Sequence, residues 1–156
     1  MVGTVTFEKT TYAPLPMKFE AGTQNFASAA TLKPAIEVAN KLNDNKLVEN
    51  LDSIRDYLLD YFRKDERIRL YGVPRGTNEE KIPLFSFSVK DVHHEDLALI
   101  LDKMGIAVRS GQMCAEPLMD RFGVTGMLRV SFAPYNTLAE AEYFVKCLNK
   151  AIDMLL

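Results

Sequence analysis

Hydrophobic and polar positions alternate most regularly over residues 83–89, and this period of two predicts a β-strand. Shorter alternating or apolar runs predict further strands at 2–7, 68–71, 106–108 and 127–132. A period near 3.6 predicts helices over 23–42, 47–62, 92–104 and 138–155. Pro34 falls within the first of these, where it indicates either a kink or a helix that begins near Thr31.

Residues with N-cap preferences indicate where three of the predicted helices begin. Thr137 and Glu140 have the spacing of a capping box, Asp91 is positioned as an N-cap, and Thr23 is a plain N-cap candidate. Strands scattered among helices predict an α+β, or α/β two-layer, domain. Because the proline-bearing stretch 13–18 cannot be helix interior, we expect an extended arm over 1–22 and a domain with two leading helices over 23–156.

Composition narrows the classes of function. The chain has 156 residues, enough for one domain with a real core, and its formal net charge of -2 includes no basic stripe, which argues against nucleic acid as a partner. No apolar run is long enough for a membrane span, and the N-terminus lacks a signal-peptide pattern, so a cytoplasmic protein is expected. Cys114 and Cys147 are too few and too far apart for a disulfide framework or a metal site.

Cys114 is the candidate nucleophile. A thiol reacts as its thiolate, and a nearby guanidinium or helix N-terminus favours that form in general. Cys114 follows Arg109 closely and precedes a short predicted helix, among residues typical of an exposed loop. The alternative is a small buried hydrophobe, which is the interpretation we give to Cys147 in the last helix.

Two arginines are candidates for binding an anion. Arg129 interrupts an apolar strand, where an unpaired guanidinium is costly, so it needs a carboxylate partner or a solvated cleft. It is a structural salt-bridge residue, a residue of a strand edge that faces water, or a bidentate clamp for a substrate carboxylate. Arg109 either contacts Cys114 or the same ligand, or is a solvated turn residue.

Three other segments carry weaker signals. Gly22 and Thr23 precede a helix and could bind phosphate, although Thr23 as an N-cap is the simpler interpretation. His93, His94 and Glu95 are interpreted as solvated first-turn residues rather than metal ligands, because adjacent histidines on a helix point in different directions. The charged segment 72–81 is predicted to be a turn and is assigned no chemistry.

Three segments together resemble one family, the group II cysteine desulfurases and selenocysteine lyases, which are pyridoxal phosphate enzymes of the class V aminotransferase fold. The matching segments are 19–25, 105–119 and 127–137. The resemblance implies the small C-terminal domain of that fold, with a short, mainly antiparallel sheet packed against helices. It implies that Cys114 takes sulfur from L-cysteine as a persulfide and releases alanine, and that Arg129 and Arg109 bind the substrate. It also implies that Gly22 and Thr23 reach across a homodimer to the cofactor phosphate.

The chain departs from the family in two respects. Histidines often precede the family's cysteine, whereas Gln112 and Met113 stand here. The domain with the cofactor-binding lysine would lie upstream of the matching part, so we expect the chain alone to be inactive and to bind no cofactor. In the whole enzyme, sulfur would pass to an acceptor protein for iron-sulfur cluster assembly. The alternatives are a selenocysteine lyase, a cofactor-free sulfur-carrier or redox module, and an inert dimerisation domain.

Overall fold

The structure is a computed structural model that describes residues 1–42, 45–72 and 81–156. It divides into two compact units, residues 1–41 and 42–156. Most of the predicted turn at 72–81 lies outside the described residues, so that prediction stays open.

The first unit contains a small antiparallel pair of strands, β1 (Val2–Val5) and β2 (Thr10–Tyr12), then a short 3-10 helix at Met17–Phe19 and helix α1 (Phe26–Leu42). Asn25, and not Thr23, caps α1: its side-chain oxygen accepts a hydrogen bond from the backbone N–H of Ser28 at 3.1 Å. The predicted N-cap was therefore wrong by two residues. Pro34 lies inside α1, so the alternative of a helix beginning near Thr31 is also wrong.

The second unit is built on one antiparallel sheet. Its strands are β3 (Ile68–Tyr71), β4 (Leu84–Val89), β5 (Arg109–Gly111) and β6 (Met127–Ser131), in the order β3-β4-β6-β5. The helices are α2 (Asn45–Lys64), α3 (His94–Lys103), α4 (Glu116–Phe122) and α5 (Leu138–Leu155). The predicted mixed fold with an antiparallel sheet and helices is confirmed.

The main core lies between one face of this sheet and helices α2, α3 and α5. Alternate residues of β4 point into it, so Phe85, Phe87 and Val89 are buried while the serines between them are not. Its other members come mainly from α2 and α5, and Cys147 is among them, as predicted. The large apolar side chains buried here are Ile54, Leu58, Phe62, Leu97, Leu101, Leu128, Phe144, Leu148 and Ile152.

One ion-pair cluster ties β3 to α5. The guanidinium of Arg67 donates to both carboxylate oxygens of Asp65, at 3.0 and 2.8 Å, and also to Asp153 and Asn149, each at 2.8 Å. These hydrogen bonds from Arg67 lower the pKa of Asp65 below its ordinary value. The cluster therefore fixes the turn that follows α2 against the last helix.

Candidate active site

The candidate site lies on the outer face of the sheet, away from the main core. Arg109 of β5 and Arg129 of β6 are direct cross-strand partners, so their side chains share one face of the sheet. The neighbours of Arg129 in β6, Leu128 and Val130, are buried on the core face. Alternation along β6 thus explains how a charged residue is accommodated in an apolar strand.

The two guanidinium groups have no carboxylate partner in the described part of the chain. Arg109 is exposed and Arg129 is half-buried. Like charges placed directly opposite each other destabilise a strand pair, and an anion bound between them would remove that cost. The described residues therefore form no structural salt bridge with Arg129, and a water-facing residue and a clamp for a substrate carboxylate are the alternatives that remain.

Cys114 lies in the turn that follows β5, and its side chain is exposed. A terminal nitrogen of Arg109 lies 3.5 Å from its Sγ atom. The backbone N–H of Ala115 donates to the carbonyl of Gln112 at 3.0 Å, so the turn closes over Met113 and Cys114, which have φ angles of 59° and 60°. The structure therefore presents the sulfur to solvent beside a guanidinium.

A second, smaller apolar cluster lies beneath this turn. Tyr71, Met119 and Met127 form its buried centre, and Met113, Phe122 and Val124 pack against it. Helix α4 covers this end of the outer face and ends at Phe122. The C-cap residue that follows, Gly123, has a φ of 68°, the left-handed conformation that glycine adopts at helix ends. The turn with Cys114 thus rests on packed side chains.

The structure also shows a contact that sequence reasoning missed. Nδ1 of His94 lies 2.7 Å from the hydroxyl of Ser110, the residue after Arg109. The imidazole lies against Gly126, where an added Cβ would come within 2.4 Å of Nε2. Burial, followed by the neighbouring His93, lowers the pKa of His94 below its ordinary value.

The interpretation of the histidine pair as solvated was thus correct for His93 and wrong for His94, and the two rings do not point in different directions but stack with their centroids 4.4 Å apart. His93 is exposed and caps α3, accepting a hydrogen bond from the backbone N–H of Glu95 at 3.4 Å, so Asp91 was the wrong N-cap. His94 is half-buried and bonded to Ser110. A glycine next to a strand, here Gly126, was the one sequence signal of such a close approach. No set of three or more potential metal ligands converges among the described residues.

Gly22 and Thr23 lie in the first unit and are described there alone. Gly22 has a φ of 75° with open space where a side chain would be, and both residues are exposed. Since Asn25 caps α1, the hydroxyl of Thr23 is not occupied as an N-cap. The two residues present a backbone turn and a hydroxyl to solvent.

Comparison with known proteins now identifies the family. The aminotransferase class-V model matches residues 1–144, and the chain belongs to that family. It is 39% identical over 155 residues to a probable cysteine desulfurase of Vibrio cholerae, covering 99% of this chain and 37% of the relative. It is 35% identical over 155 residues to the cysteine desulfurase CsdA of Escherichia coli, again covering 99% of this chain and 37% of the relative.

The solved structures agree. The crystal structure of the cysteine desulfurase CsdA (S-sulfonic acid) from Escherichia coli superimposes with a TM-score of 0.80 at 34% identity, covering 100% of this chain and 38% of that one. The resemblance stated from the sequence is confirmed. The chain spans little more than a third of the length of these relatives, 37% and 38%.

Proposed function

We propose that this chain carries the nucleophile and the substrate-binding arginines of a pyridoxal phosphate-dependent cysteine desulfurase. The observation that carries the proposal is the exposed sulfur of Cys114, 3.5 Å from the guanidinium of Arg109. It lies next to an arginine pair without a carboxylate partner among the described residues. The similarity to cysteine desulfurases supports the assignment.

Cys114, Arg129 and Arg109 have different roles in the proposed reaction. The Cys114 thiolate attacks the sulfur of bound L-cysteine, an S–S bond forms as the substrate C–S bond breaks, and the electron pair stays with the carbon skeleton. That skeleton takes up a proton and leaves as alanine, while the persulfide remains on Cys114. Arg129, half-buried in β6, binds the substrate carboxylate, and Arg109 places a positive charge beside the sulfur of Cys114.

The residues present fit one part of the cofactor. At Gly22 no side chain blocks the backbone N–H groups of the turn, and Thr23 has an exposed hydroxyl. Both kinds of group can donate hydrogen bonds to a phosphate. We assign them the phosphate of pyridoxal phosphate bound by the second subunit of a homodimer. The cofactor, when bound, supplies the electron sink for cleavage of the C–S bond. No lysine is assigned to it here, and we expect the chain alone to be inactive.

The wider setting follows from this chemistry. A persulfide on an exposed side chain is accessible to the thiol of another protein, so we propose a sulfur-acceptor protein as partner and iron-sulfur cluster assembly as the destination. No helix in the described residues is long and apolar enough to cross a membrane. We propose a cytoplasmic location, because Cys114 acts as a reduced thiol and thiols are kept reduced in the cytosol.

The test uses the protein in its complete natural form, loaded with pyridoxal phosphate. Wild type should release alanine from L-cysteine and, with a reductant, sulfide, whereas Cys114→Ala should lose sulfide release and Cys147→Ala should retain it. Selenocysteine is assayed in parallel. Release from selenocysteine alone would instead identify a selenocysteine lyase, and full sulfide release by Cys114→Ala would reject the assigned nucleophile.

A further inference from the structure

The turn that carries Cys114 has an unusual backbone. Met113 and Cys114 occupy its two central positions with φ angles of 59° and 60°, and the hydrogen bond from Ala115 to Gln112 closes it. Positive φ at both central positions is the pattern of a type I′ turn, for which Gly, Asn and Asp are the preferred residues. Methionine and cysteine are disfavoured there, so other contacts must hold the turn in this conformation.

The side chain of Met113 supplies such a contact. It packs against the buried cluster of Tyr71, Met119 and Met127, while the next side chain, Cys114, is exposed. An unbranched thioether fits an irregular apolar gap well. A second, polar contact lies at the exposed edge, where the amide of Gln112 donates to Glu116 at 3.3 Å. Only the apolar contact, that of Met113, involves a central residue of the turn, because Gln112 and Glu116 lie outside the two central positions.

We propose that Met113 is a positioning residue, whose insertion into the Tyr71, Met119 and Met127 cluster holds the Cys114 sulfur beside Arg109. The inference deepens the proposed function, on which the catalytic meaning of that placement rests. It assigns the apolar character of Met113 the role of fixing the turn despite its unfavourable backbone. Without this anchor, the turn relaxes and the distance from sulfur to guanidinium is no longer fixed.

Two substitutions of similar size separate the anchor from the backbone. Met113→Leu keeps an apolar side chain but is as disfavoured at positive φ as methionine. Met113→Asn prefers positive φ but cannot enter an apolar cluster without burying an unpaired amide. If the anchor is decisive, Leu preserves the site and Asn does not. If backbone preference is decisive, Leu behaves as wild type and Asn holds the site at least as well.

The readout is the rate of alkylation of Cys114 by anionic iodoacetate divided by the rate with neutral iodoacetamide, followed by mass spectrometry. Both reagents attack the same thiolate, so the ratio reports the local positive potential and not the stability of the fold. Each value is compared with the ratio for the same protein in urea. Arg109→Gln, alone and combined with each Met113 variant, is the control that shows whether the ratio reports this guanidinium.

We expect Met113→Leu to keep the wild-type ratio and Met113→Asn to lower it at least about threefold. A threefold change is somewhat smaller than the effect of the full interaction between two unit charges about 4 Å apart in water. In the Arg109→Gln background neither substitution should change the ratio. Any other order of the Leu and Asn variants overturns the proposal. If Met113→Asn does not fold, Met113→Gln removes the apolar anchor without changing the backbone preference; it should also lower the ratio, and an unchanged ratio would overturn the proposal. No substrate or cofactor is used, so this result is independent of the sulfide assay.

Discussion

Gly126 offers a sharp test of the packing beneath the site. A Cβ at this position would lie 2.4 Å from Nε2 of His94 and 2.8 Å from two of its ring carbons. In Gly126→Ala the imidazole must therefore move, and its 2.7 Å hydrogen bond to Ser110 is lost. Because Ser110 follows Arg109 in β5, the change reaches the strand that positions the site.

The expected cost combines three effects. Overpacking typically costs about 1–3 kcal/mol, and a lost hydrogen bond about 0.5–1.5 kcal/mol. Replacing glycine by alanine returns about 0.4–1 kcal/mol by restricting the unfolded chain. We therefore expect Gly126→Ala to lower the free energy of unfolding by about 2 kcal/mol, which corresponds to a fall in Tm of about 4–8 °C for a chain of this size.

The assay is urea denaturation followed by circular dichroism, performed as a double-mutant cycle with His94→Ala. In the His94→Ala background the steric conflict is absent, so Gly126→Ala should be neutral or stabilising by about 0.5 kcal/mol. The coupling between the two positions should then be about 2 kcal/mol, well above the scatter of about 0.3–0.5 kcal/mol for independent sites. Equal costs of Gly126→Ala in both backgrounds would show that His94 does not occupy this space.

Two further predictions concern stability. The pKa of His94 is lower in the folded than in the unfolded chain, so the unfolded chain binds the imidazole proton more tightly. The contribution of the neutral imidazole to the free energy of unfolding is fully present above the ordinary histidine pKa of about 6.5 and is lost as the pH falls through the folded pKa. The difference in unfolding free energy between wild type and His94→Asn should therefore decrease from about pH 7.5 to about pH 5, and a pH-independent difference would contradict the lowered pKa of the half-buried imidazole. Arg67→Ala should cost about 2 kcal/mol, since it removes hydrogen bonds to Asp65, Asn149 and Asp153, whereas Asp153→Asn should cost under about 1 kcal/mol because that carboxylate is 68% exposed. Equal costs in thermal unfolding would refute this ranking.

Features that depend on neighbouring residues in the sequence could be predicted. The capping box is one: Thr137 accepts from the backbone N–H of Glu140 at 3.3 Å, and the Glu140 carboxylate accepts from that of Thr137 at 2.7 Å. The alternation of β4 is another, because each residue's burial depends on a period of two that is visible in the sequence. The strand at Ile68–Tyr71 was predicted with its observed bounds.

Features that depend on distant partners could not be predicted. The strand expected at 106–108 lies instead at Arg109–Gly111, because hydrogen bonding to β6 and not local hydrophobicity defines it. That register also places Arg109 opposite Arg129, which no local pattern reveals. The contact of His94 with Ser110 and the anchoring of Met113 likewise join residues from separate elements. The cysteine and the arginines could be identified as candidates from the sequence. Their arrangement could not, because the pairing of β5 with β6 places the arginines opposite each other and the turn after β5 places the cysteine beside Arg109.

The most direct test of the central claim is to locate the sulfur after turnover. The complete natural protein, loaded with pyridoxal phosphate, is incubated with L-cysteine without reductant, and its peptides are analysed by mass spectrometry. Cys114 should gain one sulfur atom in proportion to the alanine released, and Cys147, which is 6% exposed, should gain none. Alanine release with an unmodified Cys114, or a persulfide on Cys147, would contradict the account.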